Sequence, residues 1–490
     1  MVETILEALA TLVGAGNVSN DPERLAVYAT DLSTAPRRTP SFVVRPQNPA
    51  QICELVLWAN RTRTPLVAVS SGGPHFLGDT VPAQPETVIV DLTGMNRILR
   101  IDRRNKIAVI EPGVTYAQLD AALAAEGLRV VHPLKPRANK SVVASLLERQ
   151  PTIIPRFNYS LPEPLRNCGV VWGSGEISFT GEAGSGPLDL EEQWKRRGSQ
   201  VDPKGPLATD LMRLLTGAQG TMGIVVWASV KCELIPAAHR FLFAAAETLE
   251  GLIDLCYRAQ RIRMGDELML LNGAELASLV GRDGAEVEKL RAALPAWVLL
   301  FGLAGAGYYP EQRVEVQELD LRRMAQKAGV EILRALPGLE PAALRTLFDV
   351  SAAGRSFKLT AAGACRELFF LTTLDKAPAY VASVLAIAQK HRYPASSIGI
   401  YIQPQHHGVS QHVEFTLPFD DSDKAAAAAA ERVVEEASEE LIKGGAYFSR
   451  PYGDWARMVY GRDQTASRVL KVVKQIVDPN NILNPGKLCF

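Results

Sequence analysis

Residues 65–79 read Pro65-Leu66-Val67-Ala68-Val69-Ser70-Ser71-Gly72-Gly73-Pro74-His75-Phe76-Leu77-Gly78-Asp79. An apolar, β-forming run empties directly into a turn of small residues. Glycine tolerates positive φ and lets a ligand approach the backbone closely. Successive N–H groups in such a turn form a concave nest, and a pyrophosphate is the anion it suits. Two other phosphate loops do not fit. No GxGxxG opens a helix with an acid about 20 residues further on, and the GxxxxGK[ST] spacing is absent. Taken alone, the stretch also reads as plain turn chemistry, so its neighbours decide.

Upstream, Asn20-Asp21-Pro22 starts a helix, Phe42-Val43-Val44 is a short strand, and Asn48-Pro49 opens a second helix. Downstream, residues 87–92 form a strand, and 98–101 with 106–110 alternate as a hairpin. Glu111-Pro112-Gly113-Val114 is a tight turn. Thr115 and Gln118 make a capping box for a helix that Gly127 stops. Residues 141–149 read as helix, and a Pro-rich irregular stretch runs on to Asn167. Residues 170–179 form a hairpin, 181–206 a long polar loop, 207–215 a helix and 223–235 a long strand. After Pro236 the texture alternates between helix and strand, with strands near 240–244, 298–303 and 368–372 and a pair at 398–403 and 412–417. Residues 424–443 form one helix, in which a run of six alanines favours helix rather than disorder. The last helix, 464–477, leads into Asp478-Pro479-Asn480-Asn481-Ile482-Leu483-Asn484-Pro485-Gly486-Lys487. These features predict an α+β fold in three stretches: 1–236, a middle domain 237–420, and 421–490 returning to the first.

Composition narrows the function. The 490 residues carry 53 Lys+Arg and 53 Asp+Glu, so the net charge is zero. That balance argues against nucleic acid and against a polybasic membrane surface as the main partner. No apolar run reaches the roughly 18–20 residues of a membrane-spanning helix, and the acidic, amphipathic start is unlike a secretory signal. Cys53, Cys168, Cys232, Cys256, Cys365 and Cys489 lie far apart without a CxxC. They read as reduced thiols of a cytoplasmic protein rather than as cluster ligands.

The succession of strand, Gly-rich turn, Asp91-Leu92-Thr93-Gly94-Met95-Asn96, hairpin, Glu111-Pro112-Gly113-Val114-Thr115 and helix continues with Gly217-Ala218-Gln219-Gly220-Thr221-Met222-Gly223-Ile224. It ends on the Asp-Pro-Asn-Asn-Ile-Leu-Asn-Pro-Gly-Lys tail. This order resembles the PCMH-type FAD-binding domain of the vanillyl-alcohol oxidase superfamily, in particular its glycolate oxidase/D-lactate dehydrogenase-like members. The resemblance covers roughly 5–236 and 425–490. It implies two α+β subdomains holding FAD and a cap domain over the isoalloxazine. It places Ser71, Gly72, Gly73 and Pro74 at the pyrophosphate with Gly78 nearby, Gly113 below the adenine or ribose, and Ser141, Ala144 and Ser145 at a second cofactor loop. It also places Gly220, Gly223 and Ile224 along the cofactor, and Asn484 and Lys487 beside the flavin ring.

The chain departs from the pattern in three places. Pro74 stands where some relatives tether FAD through a histidine, and His75 comes one step late, so non-covalent FAD is expected with His75 lining the site. Larger side chains replace the family's Gly/Asn run at 144–152. The metal-dependent 2-hydroxy-acid branch carries a His…His pair and a later Glu-His. Here His406, His407 and His412 cluster with different spacing and no such glutamate follows, so no metal is assigned and a divalent cation stays the alternative.

In the phenol-oxidising branch an arginine and tyrosines near the C-terminus reach the substrate, and Tyr447, Arg450 and Tyr452 sit in that place. Arginine binds a carboxylate bidentately and a phenolate nearly as well. Tyr401 adds a hydroxyl. The expected activity is an FAD-dependent dehydrogenase or oxidase moving hydride from a 2-hydroxy acid or hydroxylated aromatic to flavin N5. One of the three histidines takes the proton and Arg450 anchors the anion. With no cluster cysteines in the chain, an electron-accepting protein subunit or another external acceptor completes the reaction, in a homo- or hetero-oligomer. Trp194-Lys195-Arg196-Arg197 is a docking surface on one reading and a solvated loop on the other. The competing class is an accessory flavin subunit without catalysis of its own.

Overall fold

A computed structural model describes residues 2–157, 163–196, 210–339, 347–350 and 354–490. The apolar run that opens the argument is the strand Leu66–Val69, at one edge of a four-stranded sheet ordered Val18–Ser19, Phe42–Val44, Val88–Asp91, Leu66–Val69. Leu66–Val69 pairs parallel to Val88–Asp91. The helix Pro49–Thr62 buries Ile52, Leu55, Val56 and Ala59 in the core on one side of this sheet. Its N-cap Asn48 accepts the Gln51 N–H, as the Asn-Pro start predicts.

A second sheet runs Ile98–Asp102, Ile107–Ile110, Gly223–Leu234, Leu165–Trp172, Ile177–Phe179, and Leu128–Val130 pairs with the far end of Gly223–Leu234. The Thr115/Gln118 capping box is present on the helix Tyr116–Ala124. The third sheet has seven antiparallel strands in the order Ile332–Leu333, Ala238–Ala246, Trp297–Gly305, Leu268–Asn272, Gly399–Gln405, Ser410–Asp420, Gly363–Thr372.

Alternation along the last three of these strands sorts chemistry from core. Ile400, Ile402, Val413, Phe415, Leu417, Leu368 and Phe370 turn into the apolar core under the helices. By the two-residue period their neighbours Tyr401, Gln403, His412, Glu414, Thr416, Glu367 and Phe369 take the other face. That face is turned toward the first half of the chain, where Tyr401 packs with Val131, Leu134 and Phe157.

The structure amends the sequence reading at several points. The strand Leu268–Asn272, unrecognised because a short all-apolar run has no period to read, sits at the centre of the third sheet. The helix Lys424–Lys443, expected in the returning stretch, packs Ala430, Val433, Ala437 and Leu441 into the core of the seven-stranded sheet. The chain rejoins the first half at its end, where Lys474 of the helix Gln464–Val477 bonds the Thr221 carbonyl and Ile482 and Leu483 enter the N-terminal core. The predicted loop 181–206 is partly helical, with Gly181–Ser185 and Leu190–Lys195. Trp194 packs against the N-terminal core beneath Arg100 rather than offering a face. Residues 197–206 and the start of the predicted helix 207–215 lie outside the described residues.

A separate apolar cluster joins the two halves. Val131, Leu134, Ile153, Ile154 and Phe157 from the first half pack with Met269, Leu271, Leu300 and Tyr401 of the seven-stranded sheet. Among the described residues no helix is long and apolar enough to cross a membrane.

Candidate functional site

The Gly-rich turn is fixed from behind. Ser71 is buried, and its hydroxyl accepts the Ser141 N–H at 3.1 Å. Arg137 donates to the Gly72 carbonyl at 2.9 Å and Asn139 to the Gly73 carbonyl at 3.0 Å. A Cβ on Gly72 would lie 2.7 Å from the Asn139 amide, so a side chain there would push Asn139 off the Gly73 carbonyl. A Cβ on Gly73 would meet nothing within 4 Å, which marks the open side of the turn. The N–H groups of Gly73, His75, Phe76 and Leu77 have no acceptor among the described residues. Left without acceptors, they are available to an anion as a nest. Gly78, at φ +74°, instead gives its N–H to Asp31 at 2.7 Å.

Three cavities meet beside this turn. The first, about 760 Å³, is walled by Ala68, Ser70, Ala144, Gln219, Gly220, Gly223, Ile224 and Tyr452 among others. Small residues and glycines share its walls with Leu92, Leu147 and Leu215. Gly220, at φ +70°, has no atom within 4 Å of where a Cβ would stand. Asn484 donates to the carbonyls of Asp79 and Gln219 at 2.8 and 2.7 Å, and Lys487 to the Gly78 carbonyl at 2.6 Å, so the tail ties the turn to the Gly220 loop. A cavity lined by Gly220 and Gly223 that adjoins, at Asp79 and Glu148, the cavity holding the free N–H groups fits an extended dinucleotide, and FAD is accommodated on these grounds. Three of the residues named by the resemblance also make contacts that hold the fold. Gly113 lies under the carbonyls of Leu92, Thr93 and Met95, where a Cβ would come within 2.8 Å of all three. Ser141 caps the helix Val142–Leu147 and bonds Pro112 O, and Ser145 accepts from Tyr116 and donates to Gln150.

The second cavity, about 910 Å³, lies between the turn and the polar face of the seven-stranded sheet. Pro74, Phe76, Leu134, Phe357 and Tyr401 give it apolar wall, and Lys358, Glu367, Glu414 and Arg450, with Lys135, Arg137, Lys140, Glu148 and Asp79 on the side of the turn, give it charge. Arg450 is only 5% exposed, lies 4.0 Å over the Phe369 ring, and has no hydrogen bond or ion pair among the described residues. Burial, then Lys140 and Arg137, hold His75 near pKa 4, so it is neutral. The third cavity, about 1810 Å³, opens on another side and shares Phe76, Leu77 and Glu367 with the second and Gln219 and Tyr452 with the first. Asp79 stands where the first two cavities meet. Burial, then Glu148, raise its pKa to about 7.

Lys358 organises the acids. Its ammonium lies 2.9 Å from Glu367 and also pairs with Glu414. Burial disfavours its charge, but Glu367 and Glu414 outweigh that and hold it protonated. Burial raises Glu367 and Lys358 only partly offsets it, while for Glu414 the pull of Lys358 and His412 overcomes burial and lowers it. Behind them Glu275 is fully buried and pushed up to about 8 by burial, then by Glu414. A Cβ on Gly399 would lie 2.0 Å from the Glu275 carboxylate, so Gly399 makes room for it.

The three histidines do not form one cluster. His406 and His407 sit at the tip of the hairpin between Gly399–Gln405 and Ser410–Asp420 and line none of the three cavities. His412 is buried behind Glu414, bonded to it at 3.0 Å, and burial lowers it to about 4. Tyr447 is 61% exposed and points away, whereas Tyr452 is buried between the first and third cavities. Among the described residues no group of three or more His, Cys, Asp or Glu is arranged to hold a metal ion. Sequence reading missed Lys358, Glu367 and Glu275. The available signal was a carboxylate inside an otherwise apolar strand, as in Cys365-Arg366-Glu367-Leu368-Phe369-Phe370.

Comparison with known proteins agrees with the cofactor. Residues 40–147 match the FAD binding domain and residues 370–488 the C-terminal domain of FAD linked oxidases. The chain is 26% identical to D-2-hydroxyglutarate dehydrogenase of Stutzerimonas stutzeri (strain A1501), over 99% of this chain and 98% of that one. It is 24% identical to glycolate oxidase subunit GlcD of Bacillus subtilis (strain 168), over 100% and 97%. The 4-cresol dehydrogenase [hydroxylating] flavoprotein subunit of Pseudomonas putida is 27% identical over 36% of this chain and 34% of its own. In fold, p-cresol methylhydroxylase with substrate bound superposes with a TM-score of 0.83 at 18% identity, over 100% of this chain and 96% of that one.

Proposed function

We propose, for a chain that carries the FAD binding domain and the C-terminal domain of the FAD linked oxidases, that it oxidises a flat, anionic, hydroxylated substrate held in the second cavity. The observation that carries this reading is Arg450, a buried guanidinium without a hydrogen bond or ion pair among the described residues, lining a cavity whose walls mix aromatic and charged side chains. A buried charge left unpaired is costly, and an anionic substrate removes that cost by pairing with it. Stacking on Phe369 fixes the plane of the fork.

FAD, when bound, supplies the acceptor for the hydride. Gly73, His75, Phe76 and Leu77 would hold its pyrophosphate through N–H groups, and Asn484 and Lys487 brace the loop around it. Glu367 takes the substrate's proton at its carboxylate. Its raised pKa brings it toward neutral pH, where a general base works best. Lys358 steadies the negative charge of the pair, and neutral His412 supports Glu414 from behind. Phe76, Phe357 and Leu134 keep water from the reacting carbon.

The aromatic walls favour a phenol. The full-length similarity to dehydrogenases of 2-hydroxy acids favours the second reading, a 2-hydroxy carboxylate on the same arginine. Both are tested by reconstituting the protein with FAD and adding 4-alkylphenols and 2-hydroxy acids without oxygen. One class bleaches the flavin band near 450 nm. Arg450→Gln raises the KM for that class about 30- to 100-fold, the worth of a lost charge-assisted pair. Glu367→Gln slows flavin reduction on the order of 10²-fold or more with little change in KM. The reading fails if neither class bleaches the flavin, or if Arg450→Gln behaves as wild type.

A further inference from the structure

Among the described residues, the first and second cavities share two wall residues, Asp79 and Glu148, and both are acids. On the reading above the occupants of both cavities are anionic, so a negative charge where the cavities cross repels each of them. Glu148 is already engaged, since it pairs with Lys140 and accepts from Gln150 at 3.0 Å. Asp79 is not. Its carboxyl has no hydrogen bond or ion pair with another residue among the described residues. Its backbone is fixed, with the carbonyl accepting from Asn484 at 2.8 Å.

The charged and titratable groups around Asp79 are committed elsewhere. Lys140, just before the helix Val142–Leu147, pairs with Glu148. Lys487 of the tail gives its ammonium to the Gly78 carbonyl at 2.6 Å. Asp31 accepts the N–H groups of Gly78 and Ser33 at 2.7 and 2.9 Å. Tyr452, which shares the first cavity, is held un-ionised by burial, and His75 on the same turn is neutral. Among these neighbours no cation is left to hold Asp79 as a carboxylate. Burial, then Glu148, bring its carboxyl up to about 7.

We infer that Asp79 is a further residue of the reaction, which meets bound FAD as a carboxylic acid and takes up a proton when the cofactor gains the hydride. The inference rests on the flavoenzyme reading above. Hydride leaves the occupant of the second cavity for the occupant of the first, so the reacting end of the cofactor comes to the crossing. Asp79 is the uncommitted polar side chain of that crossing. The hydride brings two electrons and one proton, and the substrate's hydroxyl proton goes to Glu367. For the same pair of electrons the Asp79 carboxylate binds one proton from solvent. An O–H donor already in place where negative charge develops stabilises that charge without rearrangement. An ionised carboxylate at the same point opposes it.

The test reads the reduction equilibrium and needs no substrate. The FAD-loaded protein is reduced stepwise without oxygen against reference dyes, from about pH 6 to 9. Below about pH 7 Asp79 is protonated in both redox states, so wild type and Asp79→Asn run parallel. Above that, the oxidised protein holds the carboxylate and reduction draws in one more proton. The equilibrium constant for reduction then falls about tenfold more per pH unit in wild type than in Asp79→Asn, about 30 mV for a two-electron couple. Asp79→Ser, smaller and equally neutral, gives the same flat response as Asp79→Asn. Glu148→Gln removes a charge that raises Asp79, and moves the onset of the extra fall to lower pH. Wild type also answers alone. In weak buffer with an indicator dye at about pH 8 it takes up about two protons per two electrons, one with the hydride equivalent and one at Asp79. Uptake of one proton, or equal pH slopes in wild type and Asp79→Asn, overturns the inference. A protein that never holds FAD removes the flavoenzyme reading itself.

Discussion

Glu275 has a pH consequence that can be measured without any substrate. Its folded pKa, about 8, lies above the value of an exposed glutamate, chiefly through burial. The folded state therefore binds more protons than the unfolded chain between about pH 4.5 and 8. Stability from this group is fully present below about pH 4.5 and is lost as pH rises to 8. Lys358, Glu367, Glu414 and Thr416 surround it, and Lys358 offsets part of the loss. Glu275→Gln keeps the shape and removes the titration. Its stability relative to wild type should rise by on the order of 1 kcal/mol per pH unit from pH 5 to 8, read by urea unfolding at each pH, and then stay level. A difference that does not depend on pH sinks the assignment. No motif marks Glu275, Glu367 or Lys358, because a helix, a short helical turn and a strand far apart in sequence bring them together. Arg450 was legible because it belongs to a local pattern near the tail. His406 and His407 misled because density along the chain is not density in space once a hairpin turns between His407 and His412.

At the scale of the element, the tail 478–487 is a clamp built on one buried ion pair. Lys474 pairs with Asp478, and Asp478 accepts the N–H groups of Ile482 and Leu483 at 3.1 and 2.9 Å. Leu483 then bridges to Leu66, at the head of the strand that feeds the Gly-rich turn. Lys474→Met leaves Asp478 charged and unpaired in the interior, a loss of about 3–5 kcal/mol. It also frees the Thr221 and Leu483 carbonyls, so FAD affinity, followed by fluorescence quenching, falls at least ~10-fold. Reduced stability with unchanged FAD affinity would mean that the tail supports the fold alone. The closing motif was readable as a unit, since Pro, Asn and Gly set its turns locally. Lys474 was not, because a lysine on an amphipathic helix reads as solvent-facing until the third dimension turns it inward. The strands that showed a period or a turn signal were found. The strand Leu268–Asn272, central and apolar throughout, offered neither.

For the whole molecule, zero net charge places the electrostatic work in local clusters, and one of them closes the seam between the two halves. Arg129 and Arg156 from the first half face Asp266 and Glu267 from the second. Glu233 holds Arg156 at 3.1 Å and His239 meets Glu267 at 2.8 Å. Burial pushes Asp266 up, but Arg156 and Arg129 outweigh it and hold the carboxyl below its usual range. A lowered acid stabilises above its unfolded pKa and loses that contribution as pH falls through its folded value. The cluster lies at the edge of the apolar contact made by Val131, Leu134 and Ile153 with Met269 and Leu271. It thus fixes how the cap sits on the cofactor half, and with it the separation of Arg450 and Glu367 from the Gly-rich turn. Asp266→Asn keeps the volume but leaves Arg129 with Glu267 alone and Arg156 with Glu233 alone, which costs about 1–3 kcal/mol in thermal or urea unfolding at pH 7. In a cycle with Arg129→Met the coupling should be about 0.5–3 kcal/mol. At pH 3, where Asp266 loses charge in the unfolded chain, the gap between wild type and Asp266→Asn narrows. A loss under 0.5 kcal/mol at pH 7 would leave the apolar contact alone as the latch, and the cap's position would then owe nothing to charge.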